Sequence, residues 1–351
     1  MRKVLICGNF GTGGPTSSGQ VIKTKIVSEE IVNKLGKENC IVFNTYKRLK
    51  SLLKTYFIFI PTLFRFKHVV MFPAHSGVVL LVPAFYVAKL LYGVKLHYVV
   101  IGGWLPTFLK RYPLSKFALK RYDGIYVETN TMKTALQQQG FKNVFVMPNC
   151  KPLKILREEE LCYQHTEPFK LVTFSRVMKE KGIEDLIRII KQINETIGRT
   201  VYSLDIYGHI QEGEEDWFEE IMASVADDPA ISYKGMISFT DSTSVLASYF
   251  ALVFPTRFFT EGIPGTIIDA YSAGLPVIAA KWESFDDVVD DGVTGIGFEF
   301  ENWEELTKIL ERIAVNPEIV YGKKAACLRK AVDFMPESTV SVLSNKLGGA
   351  I

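Results

Sequence analysis

The sequence predicts an α/β protein built from two doubly wound sheets of parallel strands. Two observations carry this. Short apolar runs alternate with helix-length amphipathic stretches along the whole chain, the rhythm of repeated β-α units. The 351 residues are also enough for two domains of ordinary size, and the charge changes sign near the middle.

In the first half, apolar runs at 2–7, 40–44, 68–74, 95–101, 124–128 and 143–147 read as strands. Helices fall between them at about 20–35, 46–58, 78–91, 108–121 and 131–139. In the second half, strands fit 169–175, 202–207, 231–236, 251–255, 276–280 and 296–300. The amphipathic stretches 182–197, 215–226, 243–249, 265–273 and 303–314 separate them. Pro148–Pro168, with a charged run at 157–160, reads as the linker between a domain at 1–150 and one at 165–335. A C-terminal helix at about 337–351 is expected to pack back on the first domain. Val69–Ala88 is 20 residues without Lys, Arg, Asp or Glu, about the length of a membrane span. Pro73, His75, Ser76, Gly77 and Pro83 interrupt it, so it reads as a buried strand, a turn and a buried helix to about Leu91. Met1-Arg2-Lys3 before Val4–Cys7 reads as the entry to a first strand rather than a signal peptide, since the apolar run is short.

Residues 1–150 hold 21 Lys+Arg against 5 Asp+Glu, whereas 151–351 hold 20 against 33. The near-neutral total of +3 thus joins a basic half to an acidic one. Such asymmetry points the first half at something anionic: a membrane surface, an acidic substrate or nucleic acid. Nucleic acid is the weakest of these, because no recognised binding motif accompanies the charge. Lys47, Arg48, Lys50 and Lys54 interleave with Leu49, Leu52, Leu53, Tyr56 and Phe57. That pattern suits a helix lying on anionic lipid, and equally an ordinary helix packing its apolar face on a sheet. The five cysteines are scattered, with no C-x-x-C pair, and read as free thiols in a reducing compartment.

The densest motif is residues 260–278, TEGIPGTIIDAYSAGLPVI. Glu261 precedes a Gly-Ile-Pro-Gly turn, a helix opens there, and Asp269 follows eight positions later. The first N–H groups of a helix have no partner within it, and with the helix dipole they form a site for an anion such as phosphate. Gly262 and Gly265 would admit a ligand close to the backbone. Upstream, Arg176 leaves a strand and Lys181 precedes a helix at Gly182. Two cations five residues apart around a turn can grip a diphosphate. The layout suits a sugar nucleotide, with amides and cations for phosphates, one carboxylate for sugar hydroxyls and another for the ribose.

These motifs resemble the E-x7-E and R-x4-K-G elements of retaining glycosyltransferases of the GT-B fold, closest to family 4. The resemblance implies two Rossmann-like domains facing a cleft, an acceptor-binding N-terminal one and a donor-binding C-terminal one. It implies that Glu261 contacts the donor sugar, Asp269 the ribose, and Arg176 and Lys181 the leaving diphosphate. Further donor contacts fall on Gly13, Gly14, Gly208, His209, Met236, Gly262, Ile263, Pro264, Gly265 and Thr266. Acceptor candidates are His75, Gly102, Gly103 and Trp104. The nucleotide sugar, UDP- or GDP-linked, is a substrate, and no cofactor or metal is expected. No D-x-D element is present, and the cations take that role. A lipid-linked or oligosaccharide acceptor, cell-surface polysaccharide synthesis and a cytoplasmic location, peripheral on the inner face of the plasma membrane, complete the expectation.

Two departures stand out. Asp269 occupies a position where the family has Glu, and Gly102 one where many members carry His. They leave two other readings open: a sugar-nucleotide epimerase of similar fold, and a non-catalytic nucleotide-binding partner of another glycosyltransferase. A nicotinamide enzyme is disfavoured. The Gly-rich turn at 8–20 has Thr16 where G-x-G-x-x-G needs Gly, and the second strand ends at Asn44-Thr45 without the acid that would hold an NAD ribose. His68, His97 and His165 show no ligand spacing.

Overall fold

A computed structural model describes residues 3–11, 19–45, 60–163, 166–238 and 240–348. Gly13 and Gly14, and the basic stretch from Lys47 to Lys54, lie outside the described residues. The chain divides into two compact units: Met1–Pro152 with Phe334–Ile351, and Leu153–Asp333.

The first unit holds β1 (Lys3–Gly8), β2 (Cys40–Asn44), β3 (Phe66–Met71), β4 (Lys95–Val99), β5 (Gly124–Val127) and β6 (Val144–Val146). They form one parallel sheet in the order β2-β1-β3-β4-β5-β6. Its longer helices are α1 (Gly19–Leu35), α2 (His75–Tyr92), α3 (Pro113–Leu119) and α4 (Asn130–Gln138). The second unit holds β7 (Phe169–Phe174), β8 (Tyr202–Tyr207), β9 (Ile231–Gly235), β10 (Ala251–Phe254), β11 (Val277–Ala280) and β12 (Gly295–Phe298). These run parallel in the order β12-β11-β10-β7-β8-β9. Its longer helices are α5 (Ile183–Ile197), α6 (Glu215–Ala223), α7 (Ser242–Leu246), α8 (Gly265–Ser272), α9 (Trp303–Val315) and α10 (Lys324–Ala331). A final helix, α11 (Ser341–Gly348), belongs to the first unit.

The central strands are covered on both faces, which is why β1, β10 and β11 are apolar without alternation, whereas β8 alternates buried and half-buried residues. In β1, Leu5 and Cys7 join Val78, Val82 and Phe85 of α2, while Val4 and Ile6 join Ile26, Val27 and Ile31 of α1. Leu343 and Leu347 of α11 complete that second layer. In the second unit, Leu186, Ile190 and Ile193 of α5 and Leu306, Leu310 and Ile313 of α9 pack on Leu171, Leu204 and Val253. Each such side chain contributes about 1.5–3 kcal/mol by leaving water.

Two helices differ from expectation. The helix anticipated at 108–121 begins at Pro113, where the ring presets the first helical turn and holds Tyr112 outside it at φ −126°, ψ 76°. The helix anticipated as buried, α2, is buried on one side only. Leu80, Val87, Leu90 and Leu91 remain 45–66% exposed.

The first sheet also buries an ionisable pair. His68 Nδ1 and His97 Nε2 lie 3.0 Å apart, and His97 Nδ1 meets the Tyr126 hydroxyl at 3.1 Å. Burial, aided by the Lys95 and Lys67 charges, lowers His68 to about 4, and burial beside His68 lowers His97 to about 3. Both are therefore neutral in the folded state at pH values where the unfolded chain, near 6.5, takes up protons. Stability is accordingly full above pH 6.5 and falls as pH drops toward 4, by on the order of 3 kcal/mol for one such imidazole. Urea unfolding at pH 7, 5.5 and 4.5 checks this. A His68→Gln/His97→Gln variant should show a flatter pH slope, and an unchanged slope would assign the effect to other groups.

Candidate active site

In the second sheet the strand order reverses between β7 and β10, and the crevice beyond their carboxyl ends is where such sheets bind ligands. The loops from these ends are held close. Gly182 opens α5 at φ +67°, and a Cβ there would stand 2.1 Å from the Pro255 carbonyl oxygen. Gly208 follows β8 at φ +145°, and its Cβ would stand 1.7 Å from the Ser175 oxygen. No side chain fits either place. Arg257 ties the same loops, donating its N–H to the Glu180 carbonyl at 2.7 Å and pairing with Asp185 at 2.7 Å.

This scaffold brings Lys181 and Glu261 together. The Lys181 ammonium donates to Glu261 Oε1, and the Thr256 hydroxyl donates to the same oxygen at 3.3 Å. The two charged side chains are 14% and 17% exposed, so the pair is reachable from solvent yet poorly screened by it. The Phe254 ring lies 5.4 Å from the ammonium. Arg176 stands on the same loop as Lys181 but is exposed, with its guanidinium donating to Gln211 at 2.8 Å.

The turn after Glu261 is fixed by burial of Gly262, Ile263 and Pro264 and by the Trp282 indole N–H, which donates to the Gly262 carbonyl at 3.3 Å. At the start of α8 the N-cap is Pro264, with no side-chain cap. The Thr266 hydroxyl oxygen is buried without a hydrogen-bond partner. An uncapped helix start, an unpaired hydroxyl and a nearby ammonium are the donor set that an oxyanion such as phosphate requires. Asp269 lies one turn further along α8, 1% exposed, accepting from the Ser242 hydroxyl of α7 at 2.8 Å.

The family model for Glycosyl transferases group 1 matches residues 168–316, the stretch that carries this entire constellation. Among curated relatives, the UDP-N-acetylglucosamine–peptide N-acetylglucosaminyltransferase GtfA subunit of Streptococcus pneumoniae is 28% identical over 160 residues, covering 45% of this chain and 30% of that protein. The alpha-monoglucosyldiacylglycerol synthase of Acholeplasma laidlawii is 29% identical over 156 residues, 44% of this chain and 37% of that one. The matched part of the chain thus spans well under half the length of either relative. The crystal structure of Anabaena HepE in complex with UDP and glucose aligns with 99% of this chain and 100% of that one, at 16% identity and a TM-score of 0.74. The fold is that of the GT-B glycosyltransferases, as the motifs imply.

Within the second unit, Gly208 and His209 follow β8, His209 exposed and bonded through its carbonyl to the Val177 amide at 2.8 Å. Met236, after β9, is 66% exposed. A groove of about 530 Å³ elsewhere on this unit, between α5 and α6, carries a mixed-charge lining that includes Glu184, Arg188 and Lys191 and none of the motif residues.

In the first unit, Gly102 takes φ +80° and donates its N–H to Glu128 at 3.2 Å, while Gly103 is buried. Trp104 stacks on the exposed His75 ring at 4.0 Å. Sequence reading missed the group beneath them. Lys23 and Glu128, 2% and 3% exposed, form an ion pair at 2.7 Å, and Lys23 also donates to the Val100 carbonyl at 3.4 Å. The signal was present: Lys23 shares a helical face with Val27 and Ile31, and Glu128 closes an apolar strand. Ser242 and Thr256 carry no comparable signal.

Proposed function

We propose that the protein is a retaining, metal-independent hexosyltransferase that uses a UDP-sugar donor. The observation that carries the reading is the meeting of Lys181 and Glu261 beside the open, Thr266-bearing start of α8. Arg176, Lys181 and the α8 amides would hold the diphosphate, Glu261 a sugar hydroxyl and Asp269 the ribose. The acceptor hydroxyl attacks the anomeric carbon on the face from which the diphosphate leaves. The carbon–oxygen bond to phosphate breaks as the new one forms, and the departing phosphate oxygen takes the proton. The developing charge is met by fixed cations and amides, an electrostatic contribution that asks for no metal. A lipid-linked or oligosaccharide acceptor on the cytoplasmic side of the plasma membrane, in cell-surface polysaccharide synthesis, fits the basic first half. HepE with bound UDP and glucose, and relatives named for UDP-N-acetylglucosamine and for a glycolipid product, support this choice.

The test is a thermal-shift panel of UDP, GDP, ADP and TDP sugars, since a ligand bound by the folded state raises the melting temperature. A UDP-sugar should give the largest shift, and EDTA should leave both the shift and sugar transfer in place. No shift with any sugar nucleotide overturns the reading. Loss of transfer in EDTA, restored by Mg²⁺ or Mn²⁺, overturns the account of the leaving group.

A further inference from the structure

The outer side of α2 and the neighbouring α3 form an apolar face inside a strongly basic stretch. Helix α2 has 18 residues with a mean hydropathy of 1.4, yet only 28% of them are buried. Leu80, Val87 and Leu91 stand at helical spacing on its outer side, and Leu90 beside them is 66% exposed. From α3, Leu114 at 65% and Phe117 at 49% are also exposed. The two helices make one surface, because the Tyr86 ring meets the Phe117 ring edge-on at 6.0 Å. An exposed apolar face of this kind marks an interaction site.

Charge identifies what it meets. Between Glu38 and Asp123 there are 84 residues, 39–122, with 13 Lys+Arg and no Asp or Glu. Lys110 and Arg111 immediately before α3, and Lys120 and Arg121 immediately after it, are all exposed. The Arg121 guanidinium lies 3.6 Å from the Phe117 ring centroid, setting a cation beside an exposed aromatic ring. Apolar side chains flanked by cations, with the neighbouring acid Asp123 already paired to Lys89 of α2 at 2.6 Å, match the boundary between acyl chains and anionic headgroups. Helix α2 does not leave the unit to cross the bilayer. Its inner residues Val78, Val82 and Phe85 belong to the core, and the Ser115 and Tyr122 hydroxyls donate to its Val78 and Val82 carbonyls at 3.1 and 2.9 Å.

We infer that the α2–α3 face seats the protein on an anionic lipid bilayer. Leu90, Leu91, Leu114 and Phe117 enter the interface, and Lys110, Arg111 and Lys120 face the headgroups. This rests on the membrane placement proposed above, and its test is separable from glycosyl transfer because lipid binding needs no nucleotide.

The experiment is co-sedimentation of the full chain with phosphatidylglycerol/phosphatidylcholine vesicles and with pure phosphatidylcholine vesicles. Binding should favour the anionic vesicles and weaken as salt rises. Leu90→Glu/Leu114→Glu and, separately, Lys110→Gln/Arg111→Gln/Lys120→Gln should each weaken it at least tenfold while melting as the wild type does. These positions are exposed, so folding should survive. A Lys47→Gln/Arg48→Gln/Lys50→Gln/Lys54→Gln variant separates the other basic stretch. If that variant alone abolishes binding and both face variants bind normally, the inference fails. It also fails if neutral vesicles bind equally. Self-association without vesicle binding, relieved by Leu90→Glu/Leu114→Glu, would instead make the face a contact between copies of the chain.

Discussion

Replacing Glu261 by Gln is expected to lower sugar transfer at least a hundredfold while leaving the affinity for bare UDP unchanged or tighter. In the structure Lys181 is committed to Glu261 Oε1. A diphosphate must therefore compete for that ammonium. The amide keeps the size of the side chain but removes the negative charge, so Lys181 becomes free for the phosphates. The same change removes the charged acceptor for a sugar hydroxyl, and charge-assisted bonds are about twice as strong as neutral ones. Loss of transfer with retained UDP binding would separate the sugar from the nucleotide.

Lys181→Ala and Arg176→Ala complete the test. Each should weaken UDP by about 1.5–3 kcal/mol, the range for a hydrogen bond to a charged group. They should differ in stability. Arg176 is exposed and its loss is expected to leave the melting temperature in place. Lys181→Ala strands Glu261, 17% exposed, without its ammonium and should lower it. Calorimetry with UDP, alongside thermal unfolding, reads both. Unchanged UDP affinity in both variants would show that the diphosphate binds elsewhere. Wild-type transfer by Glu261→Gln would remove this carboxylate from the mechanism. A wild type that binds UDP-sugar and turns over with no acceptor would favour the non-catalytic reading that Asp269 and Gly102 leave open.

The sheets were legible because their physics is simple. Strands covered on both faces must be apolar throughout, so runs such as Val4–Cys7 and Ala251–Phe254 announce themselves without a partner in view. The turn and helix start at 260–278 were legible for a related reason. A Gly-Ile-Pro-Gly turn flanked by carboxylates has few uses at the start of a helix. Other features depend on distant residues. Helix α2 is apolar enough to be read as buried all round, and only the packing shows which side meets the sheet. Val78, Val82 and Phe85 do so, while Val87 faces outward. The helix break before Pro113 was readable from the proline. The Lys23–Glu128 pair and the Ser242 contact were not assembled, because each joins residues far apart in the chain.

Asp269 supplies the last prediction. Its carboxylate is 1% exposed, and Ser242, equally buried, donates to it at 2.8 Å. The shorter acid is therefore matched by a side chain that occupies space beside it. Asp269→Ala should weaken bare UDP by tenfold or more, if the carboxylate holds the ribose, and should also lower stability by leaving the Ser242 hydroxyl short of this acceptor. Asp269→Glu adds a methylene where the site is already filled, so it should be poorly tolerated alone. Combined with Ser242→Gly, which removes the hydroxymethyl group, the glutamate should regain UDP affinity. The four-variant cycle of Asp269→Glu and Ser242→Gly, read by calorimetry and thermal unfolding, measures that coupling directly. Additive effects on UDP affinity would show that Ser242 does not set the position of Asp269. UDP affinity unaltered in Asp269→Ala would take the residue out of the nucleotide site and leave it as a buried tie between α7 and α8.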